Sequence, residues 1–230
     1  MKLLAIDTAT EACSAALYID GEITECYQVA PRQHADIILP MCNQLLEQAD
    51  VKLNDIDCLA FGRGPGAFTG VRIAAGVIQG LAFATDLPVV PVSTLAAMAQ
   101  GQWHMHGHHK ILTAIDARIN EVYWSAFECN DEAVTPVIDE QVCAANDVNL
   151  PTGSDWIAVG SGWETYANDL QARTAAILKE PLKNMQTSSF PRAQDIITLA
   201  VRAFKNNEAV PAEQALPVYL RDNVAHKKKT

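Results

Sequence analysis

The stretch Gly62 to Gly80, GRGPGAFTGVRIAAGVIQG, constrains this chain more than any other, because it joins a glycine-rich turn to a helix that is apolar on nearly every face. Between Val71 and Ala84 only Arg72 and Gln79 are polar. A helix of that kind must be covered all round. One side can pack on a sheet of its own domain, which leaves the other for a second domain or another protein. Gly70, Gly76 and Gly80 each cost roughly 1 kcal/mol of helix propensity relative to alanine. That cost predicts the close approach of another backbone. The apolar run falls short of the ~20 residues that cross a bilayer, and MKLLAIDTAT lacks the pattern of a secretory leader. A cytoplasmic chain without a membrane segment is expected.

The 230 residues suit one large domain or two small ones, and 49% apolar residues suffice for a core. Seventeen basic against 27 acidic side chains leave a formal net charge of −10, which disfavours general attraction to nucleic-acid phosphates. The six cysteines form no CxxC pair and sit mostly in apolar runs, so they read as reduced core residues.

Strand-length apolar runs at Lys2–Ile6, Ala12–Ile19 and Ile23–Val29 open the chain, with Asp20-Gly21 as a hairpin turn. A helix from about Gln33 to Asp50, a strand Cys58–Phe61, the apolar helix and a strand near Val89–Val92 follow. Pro40 is expected to kink the first helix. The plan then starts again: ILTAID at Ile111–Asp116 mirrors LLAID at Leu3–Asp7. Strands at Val122–Phe127, Val137–Val142 and Trp156–Val159, a helix near Trp163–Gln171, a short strand Ala175–Leu178 and a helix Ala193–Phe204 complete it. Repetition of this order predicts a duplicated α/β fold of two lobes. The predicted organisation is a first lobe at 1–103, a histidine-rich linker at 104–110, a second lobe at 111–221 and a basic tail at 222–230. The 193–204 helix is left free to pack back on the first lobe. GQWHMHGHHK reads as a solvated linker because no cysteine or carboxylate within it completes a metal site.

Gly62-Arg63-Gly64-Pro65-Gly66-Ala67 matches GxGxxA, but no acidic residue ends the next strand and no lysine follows. The glycines are therefore expected to serve the turn itself. Asp7 and Asp116 each end a first strand, where a two-lobed enzyme would hold a ligand; capping of turns and pairing with Arg118 is the favoured alternative. The first helix carries the stripe Ala35, Ile38, Cys42, Leu45 and Ala49 beside Ile37 and Met41, wider than one sheet contact needs.

IDTATEACSAAL, QHADIILPM, GRGPGAFTGVRIAAG, VSTLAAMA, DARINEVYW and YLRDNVA together resemble the TsaB family, also called YeaZ, of tRNA threonylcarbamoyladenosine biosynthesis. The resemblance covers nearly the whole chain. It implies an actin-like (ASKHA) fold of two ribonuclease-H-like lobes. It also implies a non-catalytic scaffold that pairs with a larger catalytic relative, TsaD, and with the ATPase TsaE, for transfer of threonylcarbamoyl to the adenosine beside the anticodon. tRNA then binds only through the complex. Pairing is implied for the first two helices, here through His34, Ile37, Ile38, Met41, Leu45, Phe68, Gly70, Val71, Arg72, Ala74, Ala75, Val77 and Ile78. Weak self-association through the same face is expected. The catalytic relative's histidine pair is reduced here to His34, with Asp36 two residues on, so no metal, cofactor or catalytic residue is expected. Ala67 stands where the family usually has serine, which removes a capping hydroxyl. A vestigial nucleotide site is implied at Asp7, Thr8, Asp116, Arg118, Gly160 and Gly162. The rival reading is an ATP-binding phosphotransferase or ATPase of the same fold.

Overall fold

The computed structural model describes residues 1–130, 133–181 and 189–221; the basic tail lies outside them. Strands β1 (Lys2–Asp7), β2 (Ala12–Ile19) and β3 (Glu22–Val29) form an antiparallel meander. Its β2–β3 turn uses positive φ at both Asp20 and Gly21, the backbone an Asp-Gly hairpin favours. Helix α1 (His34–Gln48), strand β4 (Cys58–Gly62), helix α2 (Phe68–Thr85) and strand β5 (Val89–Val92) complete a sheet ordered β3-β2-β1-β4-β5. Strand β4 runs parallel to both β1 and β5. Alternation along β1 assigns its layers: Leu4 and Ile6 face α1 and α2, while Leu3 and Ala5 face the other side. Because both faces are covered, Leu3 to Ile6 form an unbroken apolar run.

Helix α3 (Thr94–His106) leads into strands β6 (Lys110–Arg118), β7 (Glu121–Asn130), β8 (Ala133–Ala144) and β9 (Ile157–Val159). Their order is β8-β7-β6-β9, with β9 parallel to β6 as β4 is to β1. The meander and its parallel fourth strand thus occur twice, and the molecule has the actin-like arrangement of two ribonuclease-H-like lobes. Helices α4 (Gly162–Thr165) and α5 (Ala167–Thr174) cover one face of the second sheet over Trp124, Trp156 and Trp163. Each indole finds a backbone acceptor; Trp163 Nε1, for example, donates to the Leu112 carbonyl at 3.2 Å. The other face packs on α3 through Leu95, Met98 and Ala99.

Helix α6 (Ala193–Lys205) returns to the first sheet, where Ile196, Ile197 and Ala200 close the face opposite α1 and α2. The second sheet's own unit therefore ends before α6, short of residue 221. The histidine-rich segment also departs from the linker reading. Gly101 to His106 continue α3, and Gly101 and Gln102 are buried. Ser93 caps the start by accepting from Ala96 N–H at 3.0 Å, and Gly107 ends the helix in the left-handed conformation. His104 donates Nδ1–H to the buried Asp195 carboxylate at 2.7 Å. His109 bonds the Cys129 carbonyl. Ala175–Leu178 forms a single bridge to Trp156 instead of a strand. The helix near Trp163 breaks at Tyr166, and α1 runs through Pro40 without interruption.

All six cysteines are free. Burial pushes the Cys13, Cys42 and Cys58 thiols up to about 12, which keeps them protonated and unreactive at neutral pH. Helix α2 is long and apolar enough by composition to meet a membrane-span criterion. Ala74, Ile78 and Ala82 are nevertheless committed to the first lobe's core.

Candidate functional site

The turn between β1 and β2 is closed by the protein's own backbone. Ala67 N–H donates to the Ala9 carbonyl at 2.8 Å, Thr8 Oγ1 donates to the Gly70 carbonyl at 2.7 Å, and His34 donates Nε2–H to the Thr10 carbonyl at 2.9 Å. The glycines make this possible. A Cβ on Gly70 would lie 2.0 Å from the Thr8 carbonyl oxygen, and one on Gly66 2.4 Å from that of Ala9. The glycine turn thus receives a neighbouring backbone where a phosphate-binding loop would leave room for a ligand. Asp7 is fully buried beside Gly62, whose missing Cβ would fall 1.9 Å from the carboxyl Oδ2. Its Oδ1 accepts Ala9 N–H, and Oδ2 has no partner among the described residues. Burial raises the carboxyl to about 7.

The second-lobe positions are also committed. Asp116 accepts from Arg118 N–H and guanidinium, each at 2.8 Å, and from the Tyr166 hydroxyl at 3.0 Å. Arg118, Ile119 and Asn120 are all left-handed, a sparsely populated conformation for residues with side chains. Gly160 and Gly162 admit β6, with Ala114 atoms 2.2 Å and 2.9 Å from their absent Cβ positions. The six residues expected to form a nucleotide site therefore do not gather around one space. Asp7, Thr8, Gly160 and Gly162 pack inward, and only Asp116 and Arg118 reach the cleft. Among the described residues no three metal-ligating side chains converge. The turns do not fit the phosphates of a bound nucleotide.

A cleft of about 760 Å³ does separate the lobes. Phe68, Val71 and Arg72 of α2 line one wall, Ile115, Asp116 and Arg118 the opposite wall, and Val218, Tyr219 and Arg221 its mouth. The Arg72 guanidinium lies 3.2 Å from the Phe68 ring centre and 4.9 Å from that of Tyr219, a geometry for cation–π attraction. Sequence reading gave no role to Tyr219, Arg221 or Arg63. The aromatic and basic residues of the late YLR segment were the available signal.

The paired helices α1 and α2 require a correction at the residue level. Ile38, Met41, Leu45, Val71, Ala74, Ala75 and Ile78, expected on the pairing surface, are buried within the chain. His34 and Gly70 are buried against the first turn. One helix face cannot pack on its own sheet and remain open, and the large aliphatic stripe is the one the sheet takes. Ile37 and Val77 are half-buried, while Phe68 and Arg72 are exposed. The open face of α2 consists of Arg72, Gly76, Gly80 and Phe83, with Leu39 exposed on α1. Among the described residues nothing outside the helix's own backbone lies within 4 Å of where a Cβ would stand on Gly76 or Gly80. Spacings of three and four residues from Arg72 to Phe83 carried that signal in the sequence.

The fold and site define a two-lobed, actin-like protein whose loops at the first turn are filled by its own chain. Residues 27–229 match the family model TsaD, described as tRNA N6-adenosine threonylcarbamoyltransferase. The chain is 41% identical to the tRNA threonylcarbamoyladenosine biosynthesis protein TsaB of Escherichia coli (strain K12), across 99% of this chain and 98% of that one. It is 40% identical to the protein of the same name from Haemophilus influenzae, across 99% and 97%. The solved structure of YeaZ from Pseudomonas aeruginosa superposes with a TM-score of 0.87 at 44% identity, covering 95% of this chain and 99% of that one. The chain belongs to the TsaB (YeaZ) family.

Proposed function

We propose that the chain acts in tRNA threonylcarbamoyladenosine biosynthesis as a cytoplasmic, non-catalytic subunit that docks a TsaD-type transferase through the open face of α2 and its neighbour α1. The single observation carrying this reading is the Gly76–Gly80 stripe. Two interior helix glycines together cost roughly 2 kcal/mol, and no contact among the described residues offsets that. A second backbone packed against the stripe would. Exposed Phe83 and Leu39, at 63% and 42%, and half-buried Ile73 and Val77 supply an apolar surround. A transferase of this name from Chlorobium limicola is itself 30% identical over 112 residues, so a partner with related helices suits the face. A TsaE-type ATPase joins the pair, and tRNA is held by the assembly. The net charge of −10 disfavours strong tRNA binding by this chain alone. The non-catalytic reading is supported by the carbonyls of the first turn, which accept from the protein's own backbone and side chains.

The test is light-scattering mass of the chain mixed with the transferase from the same cell. Wild type is expected to give a heterodimer, and Gly76→Arg, whose side chain would project into open space, is expected to abolish it while leaving the unfolding midpoint near wild type. A heterodimer that survives Gly76→Arg would place the contact elsewhere. Weak self-association through the same face should fall in parallel. Concentration-independent monomer mass for wild type would remove that part of the reading.

A further inference from the structure

After α6 the chain crosses the first lobe and reaches the second at Arg221, the last described residue. Val210 pairs with Val89 through two 2.8 Å backbone bonds, Ala215 is buried against α2, and Gln79 Nε2 donates to the Ala215 carbonyl at 3.2 Å. Val218 N–H then donates to the Arg63 carbonyl at 2.8 Å. Tyr219 completes the stack on Arg72. Arg221 reaches over the cleft, where its guanidinium bonds the Ala117 carbonyl at 3.1 Å and pairs with the Glu121 carboxylate. These acceptors flank the left-handed turn Arg118–Asn120. Arg63, which holds the segment through its carbonyl, also reaches β8 by a guanidinium bond of 3.0 Å to Glu140; Glu140 in turn accepts from Ser93. Two ion pairs thus cross between lobes, and both connect through one short segment.

We propose that Ala215–Arg221 is a clasp that fixes the separation of the two lobes and holds the Phe68–Arg72 stack at the start of α2, so that its release opens the cleft. The reasons are geometric. Within Ala215–Arg221 the segment bonds α2, the glycine turn and the β6–β7 turn in succession, and its last described residue is the one that touches the second lobe. Side-chain carboxylates hold the guanidinium groups of Arg221 and of Arg63, the residue that Val218 bonds, and charge-assisted bonds of this kind are stronger than neutral ones. The strained turn beneath Arg221 gains two contacts from this residue, to the carbonyls of Ala117 and Arg118. Partner docking on α2 is not needed for the inference.

Hydrogen–deuterium exchange of the full chain tests it. Arg221→Ala and Glu121→Gln are each expected to speed exchange at residues 117–121 by about tenfold, the factor a charged hydrogen bond of about 1.4 kcal/mol represents. Exchange in β1 and α6 should stay at the wild-type rate, and 1 M salt should reproduce part of the effect in wild type. Tyr219→Ala should speed exchange at 67–72 instead. Wild-type exchange at 117–121 in both ion-pair variants would overturn the clasp. So would an equal rise across β1 and α6, which would mean general destabilisation in place of local release.

Discussion

Gly70→Ala is expected to destabilise the chain by about 3 kcal/mol, whereas Gly76→Ala in the same helix is expected to stabilise it by roughly 1 kcal/mol. The two substitutions add the same methyl group to the same helix. At Gly70 the new carbon would meet the Thr8 carbonyl oxygen at 2.0 Å. Neither atom is the mobile end of a side chain, so the β1–β2 turn and the start of α2 must move apart, with loss of the Thr8 hydroxyl bond to the Gly70 carbonyl. Overpacking of this kind lies at the upper end of its usual range. At Gly76 the methyl enters open space and reduces only the freedom of the unfolded chain. Thermal unfolding measures both. The expected shifts in midpoint temperature are about 10 °C downward and about 3 °C upward. If Gly76→Ala also weakens the heterodimer, stability and docking will have been separated at one residue. Equal destabilisation by both substitutions would mean that the open face of α2 is already covered within the chain.

The same glycines mark how far the sequence could be read. Strand-length apolar runs and the repeated Ala-Ile-Asp located both meanders, because β1 and β6 are buried on both faces and keep a continuous apolar run. That α2 needed cover on two sides followed from its composition. Which residues served each side did not, since an all-apolar helix carries no phase. Ala74, Ala75 and Ile78 went to the sheet and Val71 to the cleft wall, while the small positions Gly76 and Gly80 stayed outside. Helix α3 was hidden for a related reason. Its residues are buried on several sides between the lobes, so it lacks the periodic polar face that announces a surface helix. Asp195, far along the chain, is what draws His104 out of an apparent linker. Long-range pairs of this kind leave no local pattern. The second strand end shows the opposite case: Asp116 with Arg118 was legible as a local pair and is one.

Asp7 is expected to make the stability of this protein fall as pH rises toward neutrality, and Asp7→Asn is expected to remove that fall. The carboxyl is raised from 3.8 to about 7, chiefly because burial penalises the charged form; the Ala9 N–H bond opposes the shift only in part. A raised folded-state value means that the folded chain binds the proton more tightly than the unfolded one. The associated stability is then complete below about pH 4 and is lost as pH climbs through about 7, a span worth about 4 kcal/mol. Burial also raises Asp195 and Glu25, whose partners His104 and Arg192 counteract it, while Asp20 is shifted downward by the chain's amino terminus. The raw profile therefore mixes several groups, and the difference between wild type and Asp7→Asn isolates one. Between pH 5 and pH 8 the difference in urea-unfolding free energy should shift in the variant's favour by about 2.5 kcal/mol. A difference that does not change with pH would show that Asp7 is already ionised in the folded chain throughout. The chemistry bears on the role as well as on stability. A carboxyl that is half-protonated near pH 7, closed in by Gly62 on one side and Ile196 on another, is a poor ligand for a magnesium–phosphate group. The residue that ends the first strand therefore contributes to this lobe as a buried packing group that carries its proton about half the time near pH 7, in keeping with the surface-docking role proposed above.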